Sequence, residues 1–206
     1  MMLRKYLLES MTQYELAHRT AQRNAALPIE QGGLGLHPNN TAQERANAMG
    51  YTTKAYHGTG SEIKEFIKQK AHDKEGRSMG LGLGKGKFYF ATDLDIANNY
   101  ALSSPYRMNY SKTNGKKYGS GIEPNVLPVL LKVNKSYNYD SYLDKIYDTD
   151  NNVRDKKIAK LDKELIKNKF DSITGHDNIA VFHPHQIRSI HAAFDPMRKH
   201  ESDLLA

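Results

Sequence analysis

From Lys87 to Ala101 the chain reads as one strand, one turn and one helix, and no other stretch constrains the fold as much. Lys87-Phe88-Tyr89-Phe90-Ala91 is aromatic and suits a half-buried strand. Asp93-Leu94-Asp95 offers a side-chain oxygen to cap a helix through Ile96, Ala97, Tyr100 and Ala101. This strand-turn-helix is the best-defined unit in the sequence, and further strands are expected around it.

Those neighbours are short. Strands are expected at Lys54 to Tyr56, at the apolar run Val126 to Val133, at Phe170 to Ile173, Ile179 to Phe182 and Ile187 to His191, with Tyr137-Asn138-Tyr139 as an edge. Lys145 to Phe170 reads as one or two surface helices. Few helices separate these strands, which predicts an α+β fold around a small split or sandwiched sheet rather than a doubly wound parallel sheet.

Ahead of this unit, Leu3, Leu7, Met11, Tyr14, Ala17 and Ala21 fall at helical spacing. The helix over residues 3–26 either covers the main domain or docks a partner. Leu27 to Asn40 is broken by Pro and Gly and reads as a linker. Thr41-Ala42-Gln43-Glu44 has the form of a capping box, with a short helix stopped at Gly50. The expected organisation is an N-terminal helical extension over 1–50, a main domain over 51–196 and a flexible tail over 197–206. Gln69 to Met79 and Pro105 to Pro124 are expected to be exposed loops.

Thirty Lys and Arg against 23 Asp and Glu give a net charge of +7, which favours anionic partners. The charge is spread along the chain, so a basic nucleic-acid-associated role stays open without being singled out. The absence of cysteine excludes disulfides, thiolate metal sites and cysteine nucleophiles. Nine histidines show neither an H-E-x-x-H nor an H-x-x-E-H frame, so no metal is expected. No apolar run reaches the ~20 residues of a spanning helix. The expected setting is soluble and cytoplasmic, without membrane attachment.

The glycine ladder Gly80, Gly82, Gly84, Gly86 alternates, so it fits neither the dinucleotide G-x-G-x-x-G nor a P-loop. It is either a loop that brings backbone N–H groups to a phosphate, aided by Lys85 or Lys87, or a plain connector. No G-x-S-x-G elbow is present.

Tyr56-His57-Gly58-Thr59, Gly84-Lys85-Gly86 ahead of Tyr89-Phe90-Ala91, and Ala97-Asn98-Asn99-Tyr100 together resemble the NAD-binding blocks of the ADP-ribosyltransferase fold, in its diphtheria-toxin and poly(ADP-ribose)-polymerase branch. Val126 to Val133 and Ala180 to Ser189 resemble two further strands of that fold. The closing block through Phe194-Asp195-Pro196, with Pro38-Asn39-Asn40-Thr41-Ala42 and Met49-Gly50-Tyr51, is similar to ADP-ribosyltransferase domains of phage and mobile-element polyvalent proteins.

The resemblance implies NAD as substrate, a single ADP-ribose transferred to a protein or nucleic-acid acceptor, and a phage-borne, toxin or effector role, with delivery into a host cell as one route. A module that binds NAD or ADP-ribose without turnover is the alternative. It further implies that Tyr89 and Tyr100 sandwich the nicotinamide, a planar cation that aromatic faces attract. Gly58 would present its backbone to the carboxamide, His57 would bind a hydroxyl of the adenine-side ribose, and Thr59 would adjoin them. Lys85, Lys87 or Arg77 would meet the diphosphate. Where the family carries a glutamate at the head of the closing strand, this chain has Asn178, with Asp177 beside it and Gln186 as a further alternative.

Overall fold

In the computed structural model, the described residues are 2–59, 63, 65, 66, 86–110 and 125–206, with backbone alone at 2–12, 103–110 and 151. The helices are α1 (Met2–Ala26), α2 (Ala42–Ala48), α3 (Leu94–Tyr110), α4 (Tyr139–Ile146) and α5 (Asn151–Lys167). The strands are β1 (Tyr51–Thr59), β2 (Phe88–Ala91), β3 (Asn125–Lys132), β4 (Ser136–Asn138), β5 (Ser172–Thr174), β6 (Asn178–Val181) and β7 (Ile187–Ser189). The fold is α+β, as its pattern of strands predicts.

The seven strands hydrogen-bond in the order β4-β5-β6-β2-β1-β3-β7, with only β4 and β5 parallel. This sheet cannot be flat. Residues 133–135 alone join β3 to β4, which lie five strand positions apart. A link of that length reaches at most about 14 Å, whereas five strand spacings amount to about 24 Å. The sheet therefore folds back on itself.

Its two halves share one core. Ala55, Val129, Leu131 and Ile187 from β1, β3 and β7 pack with Phe88, Phe90, Ile179 and Val181 from β2 and β6. The halves meet where β1 and β2 pair, and that pairing consists of Tyr56 opposite Ala91, while β1 continues along β3 as far as Thr59 opposite Asn125. Beyond Tyr56, β1 and β2 splay apart. A second cluster, with Tyr142, Ile158, Leu161, Leu165, Ile173, Ala180 and Phe182, lies between β5, β6 and helices α4 and α5.

The capping box forms: Glu44 N donates to Thr41 Oγ1 at 3.2 Å and Thr41 N to Glu44 Oε2 at 2.7 Å. Gly50 has φ +85°, a left-handed value suited to a helix stop. Asp93 Oδ1 accepts from Asp95 N and Ile96 N and starts α3. That helix runs through Pro105 to Tyr110, where an exposed loop is expected. Proline's fixed φ is already helical, so the helix forgoes one hydrogen bond and continues.

Three other expectations change. The 27–40 break is packed rather than loose, with Leu34 N and Leu36 N both donating to Ala25 O at 3.1 Å. Ala46, Met49 and Tyr51 share a core with Ala192 and Phe194, so residues on both sides of position 50 are packed together. The flexible tail at 197–206 is corrected outright. Ser189 N donates to Leu204 O, Ala193 N to Leu205 O and Phe194 N to Ala206 O, while Leu204 and Ala206 are buried. Backbone groups beyond the end of β7 find their partners there instead of in a longer ladder.

Among the described residues no helix is long and apolar enough to cross a membrane. The end of α1 is held to the domain by Asn24, whose amide donates to both Asp195 oxygens at 3.0 Å, and by buried Ala21 and Ala25.

Candidate functional site

The splay between β1 and β2 is bridged by a side chain. His57 Nδ1 lies 2.8 Å from Tyr89 O. A carbonyl oxygen only accepts, so Nδ1 carries the proton and Nε2 of the neutral ring keeps its lone pair. Burial pushes His57 below the ordinary imidazole value, against the raising effect of that hydrogen bond. The ring is further fixed by Phe66, edge-on at 5.0 Å, and by Phe90 at 5.6 Å.

The next residue faces the other way. A Cβ on Gly58 would lie 2.0 Å from Ala97 O and 2.9 Å from Ala101 N, both in α3. Glycine is thus what allows α3 to press against β1. Tyr100, on the same turn of α3, is 37% exposed and stands at the rim of this contact. Thr59 ends β1 opposite Asn125.

Tyr89 alternates with the core residues Phe88 and Phe90 and so packs on the opposite face of β2, against the second cluster. Burial, then Asp162 and Tyr139, raise its hydroxyl well above the ordinary value. β2 pairs with β6 so that Tyr89 faces Ala180 and Ala91 faces Asn178. On the two-residue repeat Asn178 shares a face with Ala180, a diagonal separation from Tyr89 of roughly 7–8 Å. Asn178 thus stands at the head of β6, on the side where Tyr89 projects.

Asp177 turns elsewhere. Its Oδ1 lies 2.5 Å from His176 Nδ1 at the surface, and its carbonyl accepts from Thr92 N. Gln186 is buried and fully engaged: its Oε1 accepts from Phe182 N and His183 N, and its Nε2 donates to Lys132 O and Asp171 O. It clamps the two halves of the sheet and is not a candidate for substrate chemistry.

The diphosphate role of Lys87 is corrected. Its Nζ is 2.5 Å from Asp162 Oδ2 and 5.2 Å from the Tyr142 ring centre, with its side chain 1% exposed. Burial lowers its pKa, and Asp162 opposes that. Lys87 has the parity of Tyr89, so it is directed under α5, where Tyr142 Oη also donates to Asp162 at 2.7 Å. Lys85, Arg77 and the glycine ladder before Gly86 lie outside the described residues.

One aromatic residue was missed. Tyr139, at the start of α4, has its Cβ and ring 3.0–3.5 Å from where a Gly175 side chain would begin. Its hydroxyl is raised by burial, then by Tyr100 and Asp140, and it in turn acts on Tyr89. Tyr139 therefore packs against the turn between β5 and β6, within electrostatic reach of Tyr89 and Tyr100. Tyr137-Asn138-Tyr139 reads as an edge strand, which hid this role. The Asn138 cap, which accepts from Ser141 N, was the available sign that a helix begins there.

An open cavity of about 400 Å³ lies elsewhere, around Tyr51, Lys132, His185 and His200. The β1–β2 splay remains the better candidate for the implied chemistry, since His57 bridges to Tyr89 there and Gly58 brings the backbone of β1 against α3. Among the described residues no three His, Asp or Glu side chains are grouped to hold a metal.

The family model for the ADP-ribosyltransferase in polyvalent proteins matches residues 47–194, which carry all seven strands and every described candidate residue. No curated protein and no solved structure matches the chain. With well over half its length matched, from the end of α2 past β7, the chain belongs to the ADP-ribosyltransferase family found in polyvalent proteins.

Proposed function

We propose that the protein transfers one ADP-ribose unit from NAD to a protein or nucleic-acid acceptor and releases nicotinamide. The observation that carries this reading is the His57 to Tyr89 bridge at the β1–β2 splay, 2.8 Å long, which leaves the Nε2 lone pair to accept a ribose hydroxyl. Gly58 offers backbone groups beside it, and Tyr89, Tyr100 and Tyr139 supply aromatic surface for a cationic ring.

In the reaction the bond between the nicotinamide nitrogen and ribose C1′ breaks, and its electron pair leaves with the nicotinamide. The oxocarbenium-like sugar is captured by a lone pair of the acceptor, which then gives up a proton. A carboxylate near the ribose would offset the developing positive charge. Asn178 at the head of β6 can hold a hydroxyl but supplies no charge.

That residue favours a second reading, in which the module binds NAD and does not turn it over. Labelled NAD, incubated with cell extract and either the wild-type protein or Asn178→Glu, separates them. Transfer by the wild type supports the enzyme, while binding with transfer only in the variant supports the silent module. Absence of NAD binding in both would contradict either reading. A phage-borne or effector role and delivery into a host follow only from the family resemblance and belong to this proposal.

A further inference from the structure

The cavity of about 400 Å³ is built around the opposite end of β1 from His57. Six residue steps along the strand separate Tyr51 from His57, about 20 Å at the usual rise. Its size falls within the roughly 300–1,000 Å³ of small-molecule sites. Five basic side chains line it: Lys132 at the end of β3, His183 and His185 on the turn before β7, and Lys199 and His200 in the C-terminal segment. The only carboxylate in the lining is Asp171, and it is occupied, accepting from Asn134 N, Asn134 Nδ2 and Lys135 N. Neither Lys132 nor Lys199 has an ion-pair partner among the described residues.

The cluster is also held in place. Tyr51 Oη donates to His185 O at 2.5 Å, and the buried Gln186 amide ties the same turn to β3 and to Asp171. The rings of His183 and His185 stack at 5.2 Å, with His200 edge-on to His185 at 6.3 Å. Gathering Lys132 and Lys199 around a single carboxylate leaves an excess of positive charge that opposes folding, and an anion in the cavity relieves it. Burial lowers the His185 pKa first, followed by the positive influence of His183, His200, Arg188 and Lys132.

We propose that this cavity binds a phosphate-bearing anion no larger than a mononucleotide, held by Lys132, Lys199 and the His183, His185 and His200 cluster. A volume of about 400 Å³ matches a small ligand rather than a polymer. Groups facing the cluster are Tyr51 from β1, Lys132 from β3, Asp171 ahead of β5, Arg188 from β7, and Lys199 and His200.

The test is a titration of the full chain with inorganic phosphate, and separately with AMP, at constant ionic strength, followed by imidazole C–H proton resonances. The expected result is a saturable shift at His183, His185 and His200 with at least one of the two probes. The Lys132→Gln/Lys199→Gln variant should bind about tenfold or more weakly, given the strength of charge-assisted hydrogen bonds. Saturation by both assigns the site to the phosphate group itself, and saturation by AMP alone assigns it to a nucleotide. No saturation with either probe overturns the proposal, as does unchanged affinity in the double variant. An AMP shift confined to His57 also overturns it, as does binding of a short oligonucleotide when neither probe binds.

Discussion

His57 Nδ1 sits 2.8 Å from the carbonyl oxygen of Tyr89, so a side chain of β1 holds the backbone of β2 where the two strands stop pairing. The bond fixes the tautomer, and burial keeps the ring neutral by lowering its pKa. Only the neutral ring can accept a hydroxyl proton at Nε2. NAD affinity should therefore be level from pH 8 to about 6.5, the ordinary histidine value, and fall as pH drops through the lowered pKa of His57. Stability should follow the same sign. The unfolded chain takes up the proton near 6.5 while the folded chain resists it, so the stability present above that pH is lost below it. Calorimetric NAD titrations and thermal melts across pH 5–8 check both trends.

Gly58→Ala should be costly for a reason that lies in the fold. The added methyl would meet backbone atoms of α3 at 2.0 Å and 2.9 Å, and a helix backbone cannot swing aside as a flexible side chain can. A loss of about 3 kcal/mol or more is expected, read from the denaturant midpoint, together with loss of NAD binding.

Lys87→Met should separate a structural lysine from a phosphate ligand. It leaves Asp162 with the Tyr142 hydroxyl but without its cation. Because Asp162 retains 19% of its side-chain exposure, the cost should be about 2 kcal/mol, below the 3–5 kcal/mol of a fully buried pair. NAD affinity per folded molecule should stay unchanged.

Asn178→Glu should raise the rate of nicotinamide release. A carboxylate aimed at developing positive charge in a partly enclosed site is worth about 10²–10³ in rate. The new side chain starts opposite Ala91 at the half-buried end of β6, so folding should survive. A thermal melt beside the rate assay checks that.

The local parts of this candidate site are legible in the sequence: His57-Gly58 falls on one strand and Tyr89 on another, and the Asp93 cap starts the helix that carries Tyr100. What depends on tertiary folding is not legible. Lys87 looks like an exposed cation beside a glycine loop, yet strand alternation carries it under α5 to Asp162, 75 residues on. The last ten residues look polar and loose, yet they supply the backbone partners that β7 and the following turn lack. Gly58 reads as a ligand contact from sequence, while α3 alone already demands a glycine there. The basic cavity joins β1, β3, the turn before β7 and the C-terminal segment, and no single stretch of sequence announces it.

The most direct test of the central claim is the affinity of the 206-residue chain for NAD, measured by calorimetry on the wild type and on His57→Ala. Losing a buried hydrogen-bond partner of the ribose, and with it the bridge to Tyr89, predicts saturable binding by the wild type and a loss of at least about tenfold in the variant. No binding by the wild type, or equal affinity in a folded His57→Ala protein, would contradict the account.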